Sequence, residues 1–305
     1  MADTTPHNLS GGTWLLPGPT NIGLVQRDNE AWLIDSGNDK DAGRRTLRLI
    51  ESLGLKLKAV INTHSNADHI GANAYLQAQT SCGIWAPRLE APFIENPVLE
   101  SSLLWGGFPF GDLRSKFFEA RPSAVTRRFE PGEKLDGGFE VVPLPGHFVQ
   151  MSGILTADGV LFLGDAVFGP SVLEKHGIPF IYDVGAFRES LARISATEAA
   201  WYVPSHGEPC RDPGELVGAN LAKVDAVEAA ILGILTVPVS FEEALAALCA
   251  AFGLALDLPR YALVGSTLRS FLAWLYGGGR AAYRFEAGRM LWERKAGPEP
   301  GSTGP

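Results

Sequence analysis

The chain has 305 residues, 46% hydrophobic and 20% charged, the balance of a globular protein with a sizeable core and room for one large domain or a domain plus an appendage. Its formal net charge of −8 argues against a wholesale polyanion binder, although a local basic face stays open. Three widely spaced cysteines (Cys82, Cys210 and Cys249) without a CxxC, no secretory signal over residues 1–9 and no apolar run of about 18 residues point to the reducing cytoplasm, away from a disulfide framework or a membrane.

Residues 14–16, 21–26 and 31–35 are predicted strands. Turns at Pro17-Gly18-Pro19 and Asp28-Asn29-Glu30 separate them, so an antiparallel sheet begins here. Residues 39–53 carry Leu47, Ile50 and Leu53 at helical spacing, with Gly54 as the expected C-cap. Residues 57–61 form a buried strand by composition, and Thr63-His64-Ser65-Asn66-Ala67-Asp68-His69-Ile70-Gly71 follows directly. A helix over 70–79 and a strand over 83–86 complete a β-α-β alternation, which predicts a sheet with helices packed on it, an α/β (α+β) class.

Residues 88–125 break the pattern. Phe93, Trp105, Phe108, Phe110, Phe117 and Phe118 crowd a segment punctuated by Gly106-Gly107 and Pro109. It reads as a helical insertion or lid whose aromatics fill a local core, with the alternative that some line an apolar substrate pocket. Strands resume at 126–129, 139–144, 151–156, 160–163 and 201–203. Past residue 212 the character changes to an amphipathic helix over 214–235, a second opening at Ser240 with Glu243 as its capping-box partner, a third over 259–275, and short strands at 281–286 and 289–293. Helix, helix and hairpin read as a winged-helix-like appendage over 213–295, after a larger domain over 1–212. The Gly/Pro-rich end, 296–305, is expected to be disordered.

Histidines and carboxylates gather where the predicted strands end. His64, Asp68 and His69 follow strand 57–61, His147 follows 139–144, Asp165 follows 160–163 and His206 follows 201–203; four of the six histidines belong to this set. Loops at strand ends are where sheet proteins place functional side chains. Imidazole with carboxylate is the donor set of zinc and related divalent ions. A lone histidine is more simply a satisfied core residue, but four of them at strand ends with two acids point to a metal. His7, in a start expected to be mobile, and His176, on a polar loop as a surface or substrate-facing residue, are set aside.

In order and spacing these residues resemble the metallo-β-lactamase superfamily, whose motif is His-x-His-x-Asp-His followed by a lone His, a lone Asp and a last His. The resemblance covers residues 12–210 and implies an αββα sandwich. It implies that His64 and His147 belong to a first metal site, that Asp68, His69 and His206 form a second, and that Asp165 bridges the two. Asp35 matches the family's strand-end acid, which implies a supporting role. The C-terminal part is similar, by shape and a loose pattern, to the winged-helix tail of lactamase-like endoribonucleases and related hydrolases. Asn66 departs from the motif, standing where the family has its second histidine. A carboxamide is a neutral oxygen donor, weaker than imidazole toward zinc, so Asn66 counts as a weak ligand at best. One or two Zn2+ ions are implied, with iron or manganese as alternatives.

The implied chemistry is attack of activated water on an ester, thioester or lactone-type carbonyl of a small molecule, with Asp68 as the catalytic acid–base group. One alternative is a mononuclear iron dioxygenase. His64, His147 and Asp165 make the two-histidine, one-carboxylate set of non-haem iron, and the superfamily's persulfide dioxygenases use these positions. Another is a metal-dependent nuclease using the tail, where seven basic residues from Arg260 to Lys295 stand against Glu286 and Glu293. The acidic balance of the whole chain disfavours a nucleic-acid partner without closing the question. A homodimer contact is a further role open to the appendage.

Overall fold

The computed structural model describes residues 5–295; the tail at 296–305, for which disorder is expected, lies outside them. Seven strands form one sheet in chain order: β1 (His7–Ser10), β2 (Thr13–Leu16), β3 (Ile22–Arg27), β4 (Glu30–Ile34), β5 (Lys56–Ile61), β6 (Gly83–Pro87) and β7 (Arg127–Phe129). Pairing is antiparallel through β4 and parallel from β4 to β7. A second sheet runs in the order β12-β11-β10-β9-β8. Its strands are β8 (Lys134–Leu135), β9 (Phe139–Pro143), β10 (Ser152–Thr156), β11 (Val160–Phe168) and β12 (Trp201–His206), with only β11–β12 parallel.

Alternation along each strand assigns residues to layers. In β4, Ala31 and Leu33 pack with Leu47 and Ile50 of α1 (Lys40–Ser52), whereas Trp32 and Ile34 face Phe139, Ile154 and Phe162 of the second sheet. In β11, Val160 and Phe162 face the first sheet, and Leu161 and Leu163 join the cluster that covers the outer face. Helix, sheet, sheet and helix thus stack as the αββα sandwich. Each large apolar side chain sealed between the layers contributes about 1.5–3 kcal/mol of transfer free energy.

Short helices carry the connections: α2 (Ala67–Ile70), α3 (Asn73–Thr80), α4 (Ala91–Glu95), α5 (Val98–Trp105) and α6 (Pro170–His176). The longer α7 (Val184–Ala196) and α8 (Gly214–Ile234) pack on β11. Then come β13 (Val239–Ser240), α9 (Phe241–Ala251), α10 (Leu258–Gly277), β14 (Ala281–Glu286) and β15 (Arg289–Arg294), the strands pairing in the order β13-β15-β14. The Ser240–Glu243 capping box starts α9 as the sequence predicts. One hydrophobic cluster runs from Leu161 and Leu163 through Val224 and Val227 to Leu248, Leu268 and Phe271, across the position where the sequence places a boundary at 212/213. No helix among the described residues is long and apolar enough to cross a membrane.

Four local expectations are corrected. His7 lies in β1, paired opposite Leu15, and not in a mobile start. The helix expected over 70–79 is two helices, and the first, α2, begins inside the motif. Strand β11 continues past Leu163 to Phe168, so Asp165 lies within a strand. In the insertion, Phe118 is buried and Phe93 packs on Phe148, but Phe108 and Phe117 are 79% and 76% exposed and fill no local core.

Candidate metal centre

The first sheet delivers the motif at the end of β5. His64 and Asn66 sit on the loop that follows, and the single turn of α2 carries Asp68 and His69. His147 lies on the β9–β10 connection, just after Gly146. There φ is +123°, and a Cβ would come within 2.2 Å of the Phe187 backbone nitrogen, so the turn requires glycine. At Gly164, φ is +57° and the β11–β12 register shifts on both sides. That irregularity is how a residue inside a strand, Asp165, comes to face the site.

Every histidine of the set is held from behind through Nδ1. His69 Nδ1 donates to Asp35 Oδ2 at 2.9 Å. Asp35 also accepts from the Thr63 backbone nitrogen and hydroxyl, both at 2.8 Å. With its proton committed to Asp35, Thr63 Oγ1 accepts from His64 Nδ1 at 3.0 Å. His147 Nδ1 donates to the Phe180 carbonyl at 2.9 Å and His206 Nδ1 to the Pro19 carbonyl at 2.7 Å. These acceptors fix the tautomers, so each Nε2 meets the centre as a lone pair in the neutral ring. Asp35 itself sits at φ +60°, a left-handed conformation that aspartate tolerates better than most residues.

The lone pairs converge on carboxylates. His69 Nε2 is 3.3 Å from Asp165 Oδ1 and 3.7 Å from Asp68 Oδ2. His206 Nε2 is 3.2 Å from Asp68 Oδ2 and 3.4 Å from Asp165 Oδ2, and His147 Nε2 is 3.7 Å from Asp165 Oδ2. His64 Nε2, His69 Nε2 and Asp165 Oδ1 are buried without a hydrogen-bond partner. Ligand atoms of His64, His69 and Asp165 lie within 4.8 Å of one another, as do those of Asp68, His69 and His206. Buried polar atoms left unpaired cost about 1–3 kcal/mol each. Acceptors facing acceptors need a cation between them, and this donor set suits a divalent metal.

Without an ion, protons balance part of the charge. Burial lowers the pKa of His206, but Asp165 and Asp68 outweigh it and push the value up to about 10. Burial likewise opposes a raised His69, where Asp68, Asp165 and Asp35 win. Burial would raise Asp165 and Asp68, yet the neighbouring His206 and His69 hold both well below the ordinary carboxylate range. His64 and His147 go the other way: burial lowers both, and His69 adds to it.

Asn66 occupies a helix N-cap, but its side chain makes no capping bond. Its Oδ1 stands 3.0 Å from His147 Nε2, and its Nδ2 donates to Glu100 Oε1 at 2.7 Å. Glu100 comes from α5 in the insertion and is buried. A second buried acid of the insertion, Glu90, accepts from the Ser65 nitrogen and hydroxyl at 3.2 and 2.5 Å and from the Gln150 nitrogen at 2.6 Å. It thereby ties the His64 loop to the His147 loop. Burial pushes Glu90 up to about 7, against the hydrogen bonds from Ser65 and Gln150, and pushes Glu100 well above its ordinary value.

The seven polar side chains that the sequence nominates, His64, Asn66, Asp68, His69, His147, Asp165 and His206, all come together. His176 is exposed and lies outside the two ligand groups. Glu90, Glu100 and Thr63 go unnoticed in the sequence. The available signal is weak: each glutamate is a single acid beside apolar neighbours, in Leu89-Glu90-Ala91 and Val98-Leu99-Glu100.

Residues 15–206 match the metallo-beta-lactamase superfamily. The chain belongs to that superfamily. Among solved structures, a metallo-beta-lactamase family protein of Thermus thermophilus superposes with a TM-score of 0.74 at 21% identity, over 93% of this chain and 99% of that one. A beta-lactamase domain protein of Burkholderia ambifaria superposes with a TM-score of 0.71 at 21% identity, over 96% of each. Both show the fold. Among curated relatives, the hydroxyacylglutathione hydrolase GloC of Haemophilus influenzae is 30% identical over 153 residues, 48% of this chain and 66% of that protein. A hydroxyacylglutathione hydrolase of Methylobacillus flagellatus is 28% identical over 149 residues. The chain spans 66% and 47% of the lengths of these two relatives.

Proposed function

We propose that this superfamily member is a metal-dependent hydrolase of an acyl carbonyl in a small molecule, with a thioester as the first substrate class, ahead of esters and lactones. The observation that carries the proposal is the convergence of the His69, His147 and His206 Nε2 atoms on Asp68 and Asp165, with His64 Nε2 grouped beside Asp165 and three of the buried ligand atoms unpartnered. His64 and His147, joined by Asn66, would hold one ion; Asp68, His69 and His206 would hold another; Asp165 lies between them. Zinc is the leading ion, with iron or manganese behind it. When bound, such a cation lowers the pKa of water toward neutrality and polarises a carbonyl oxygen.

The chain's own residues supply the rest. Asp68 is the most open acid of the set at 36% exposure, and Thr20 Oγ1 anchors its Oδ2 at 2.9 Å. An anchored, accessible carboxylate at the mouth can orient water and carry a proton toward the leaving group. Phe168 and Phe180 pack beside His147 with ring centroids at 5.7 and 5.3 Å and give that side an apolar wall. Relatives named hydroxyacylglutathione hydrolase support an S-acyl substrate. A reducing, cytoplasmic setting accords with the free thiols of Cys82, Cys210 and Cys249. The dioxygenase alternative uses His64, His147 and Asp165 alone and leaves Asp68 and His206 without a task. The nuclease alternative loses support because Arg260, Arg280 and Arg284 pair with Asp257, Glu228, Glu286 and Glu293 in their own chain.

The deciding experiment loads the protein with zinc and follows hydrolysis of S-lactoylglutathione, a phenyl ester and an aliphatic lactone. Thioester turnover that chelation abolishes is expected. A single bound iron, oxygen uptake with a persulfide and no hydrolysis would overturn the reading.

A further inference from the structure

The departure from the family motif at Asn66 has a partner. The insertion brings Glu100 against the amide, and the hydrogen bond runs from Asn66 Nδ2 to Glu100 Oε1 at 2.7 Å. Glu100 Oε1 accepts here, so it takes the NH2 end of the carboxamide and leaves the oxygen end for the other side. The other side is the centre, where Asn66 Oδ1 lies 3.0 Å from His147 Nε2. Asparagine at an N-cap ordinarily turns back to bond the first backbone N–H groups of its helix. Here it does not, although α2 starts at the next residue. The side chain has been drawn off its local task toward the ligands.

We propose that Glu100 is a positioning residue for the metal centre: it aims Asn66 Oδ1 at the first site, where the carboxamide replaces the missing imidazole as a ligand beside His64 and His147. The proposal rests on the metal-dependent reading above. The support behind Glu100 is packed and hydrogen-bonded. Its helix packs on α10, Ser101 Oγ donates to the Leu113 carbonyl at 2.8 Å, and Leu104, Leu113, Phe118 and Ala262 close around it. The same α10 fixes the other prop of the first site. Thr267 Oγ1 accepts from Ile181 N at 3.1 Å and Ser270 Oγ donates to the Tyr182 carbonyl at 2.8 Å, which pins the segment whose Phe180 carbonyl holds His147. A buried acid accepting from a neutral amide is costly to folding. Aiming a ligand gives that cost a purpose.

The test is zinc stoichiometry and affinity, read by competition with a chromophoric chelator on the full chain, with no assay of turnover. Wild type should hold two equivalents. Glu100→Leu and Asn66→Ala should each weaken one equivalent by about 10- to 100-fold, the range for groups that orient a metal ligand. The double variant should be no weaker than Asn66→Ala alone, because Glu100 acts only through the Asn66 oxygen. Glu100→Gln, whose Oε1 still accepts from Asn66, should restore binding close to wild type. Two equivalents unchanged in Glu100→Leu, or a single wild-type equivalent that Glu100→Leu leaves alone, would overturn the proposal while leaving the hydrolase reading standing. A loss shared equally by both equivalents, with a lowered melting temperature of the metal-free protein, would also overturn it, in favour of a structural role. A wild type that takes up no zinc removes both readings together.

Discussion

Asp35 Oδ2 accepts the Nδ1 proton of His69 at 2.9 Å while its other oxygen accepts the Thr63 backbone N–H at 2.8 Å. One carboxylate therefore sets the tautomer of His69 directly and, through Thr63, that of His64. Asp35→Ala should weaken zinc binding by about 10- to 100-fold, with both equivalents affected because the two rings lie together, centroids 4.0 Å apart, and each is assigned to a different ion. Chelator competition measures it; unchanged affinity at both sites would remove Asp35 from the assembly.

Alanine variants separate the two ligand groups. His69→Ala and His206→Ala should abolish hydrolysis and release zinc if the group around Asp68 does the chemistry. Activity that survives these two changes and vanishes only in His64→Ala and His147→Ala would turn the assignment toward the single-iron alternative. Metal content of each variant, taken with its turnover, reads the outcome.

The pH dependence of the metal-free protein has a definite sign. His206 has its pKa raised from 6.5 to about 10, so the stability it contributes is complete below about pH 6.5 and is lost as pH rises through 10. Glu90, raised from 4.5 to about 7, behaves the same way over its lower window: its contribution is present below pH 4.5 and gone above 7. His64 and His147, lowered by burial, act in the opposite sense below about pH 6.5, so the urea midpoint of the metal-free protein should fall from pH 7 to pH 10, where His206 dominates. Zinc must displace the proton on His206, so zinc affinity should rise over the upper part of that range. A midpoint that rises between pH 7 and pH 10 would contradict the His206 assignment.

Gly146→Ala should destabilise the protein by about 2–4 kcal/mol, because the added methyl meets the α7 backbone and φ is already positive. His147 is the next residue, so the same change should loosen the first metal site. Thermal melting and zinc stoichiometry together check the pair of effects.

Much of this architecture is legible in the sequence because its signals are local. Turn signals and apolar composition mark β2 to β6, and the capping box marks the start of α9. The spacing of histidines and acids marks the centre. What escapes is set by tertiary context. Gly164 ends the apolar run that identifies a strand, yet β11 continues through a register shift to Phe168. Asn66 reads as a lost ligand until Glu100 is seen behind it. Glu90 and Glu100 escape because an isolated glutamate in a sequence looks like solvent-facing charge, and only the folded packing shows that water has been removed from both.

The hydrophobic cluster that crosses residue 212 packs the two parts of the chain together, so they should melt as a single unit. A chain cut there would lose α8 from the outer face of β11, bare Leu161 and Leu163, and take with it the α10 hydroxyls that hold the Phe180 segment. The shortened protein should aggregate, and any soluble fraction should bind zinc poorly at His147. On that expectation the last third of the molecule, which holds none of the candidate ligands, would act as the mould in which the centre sets.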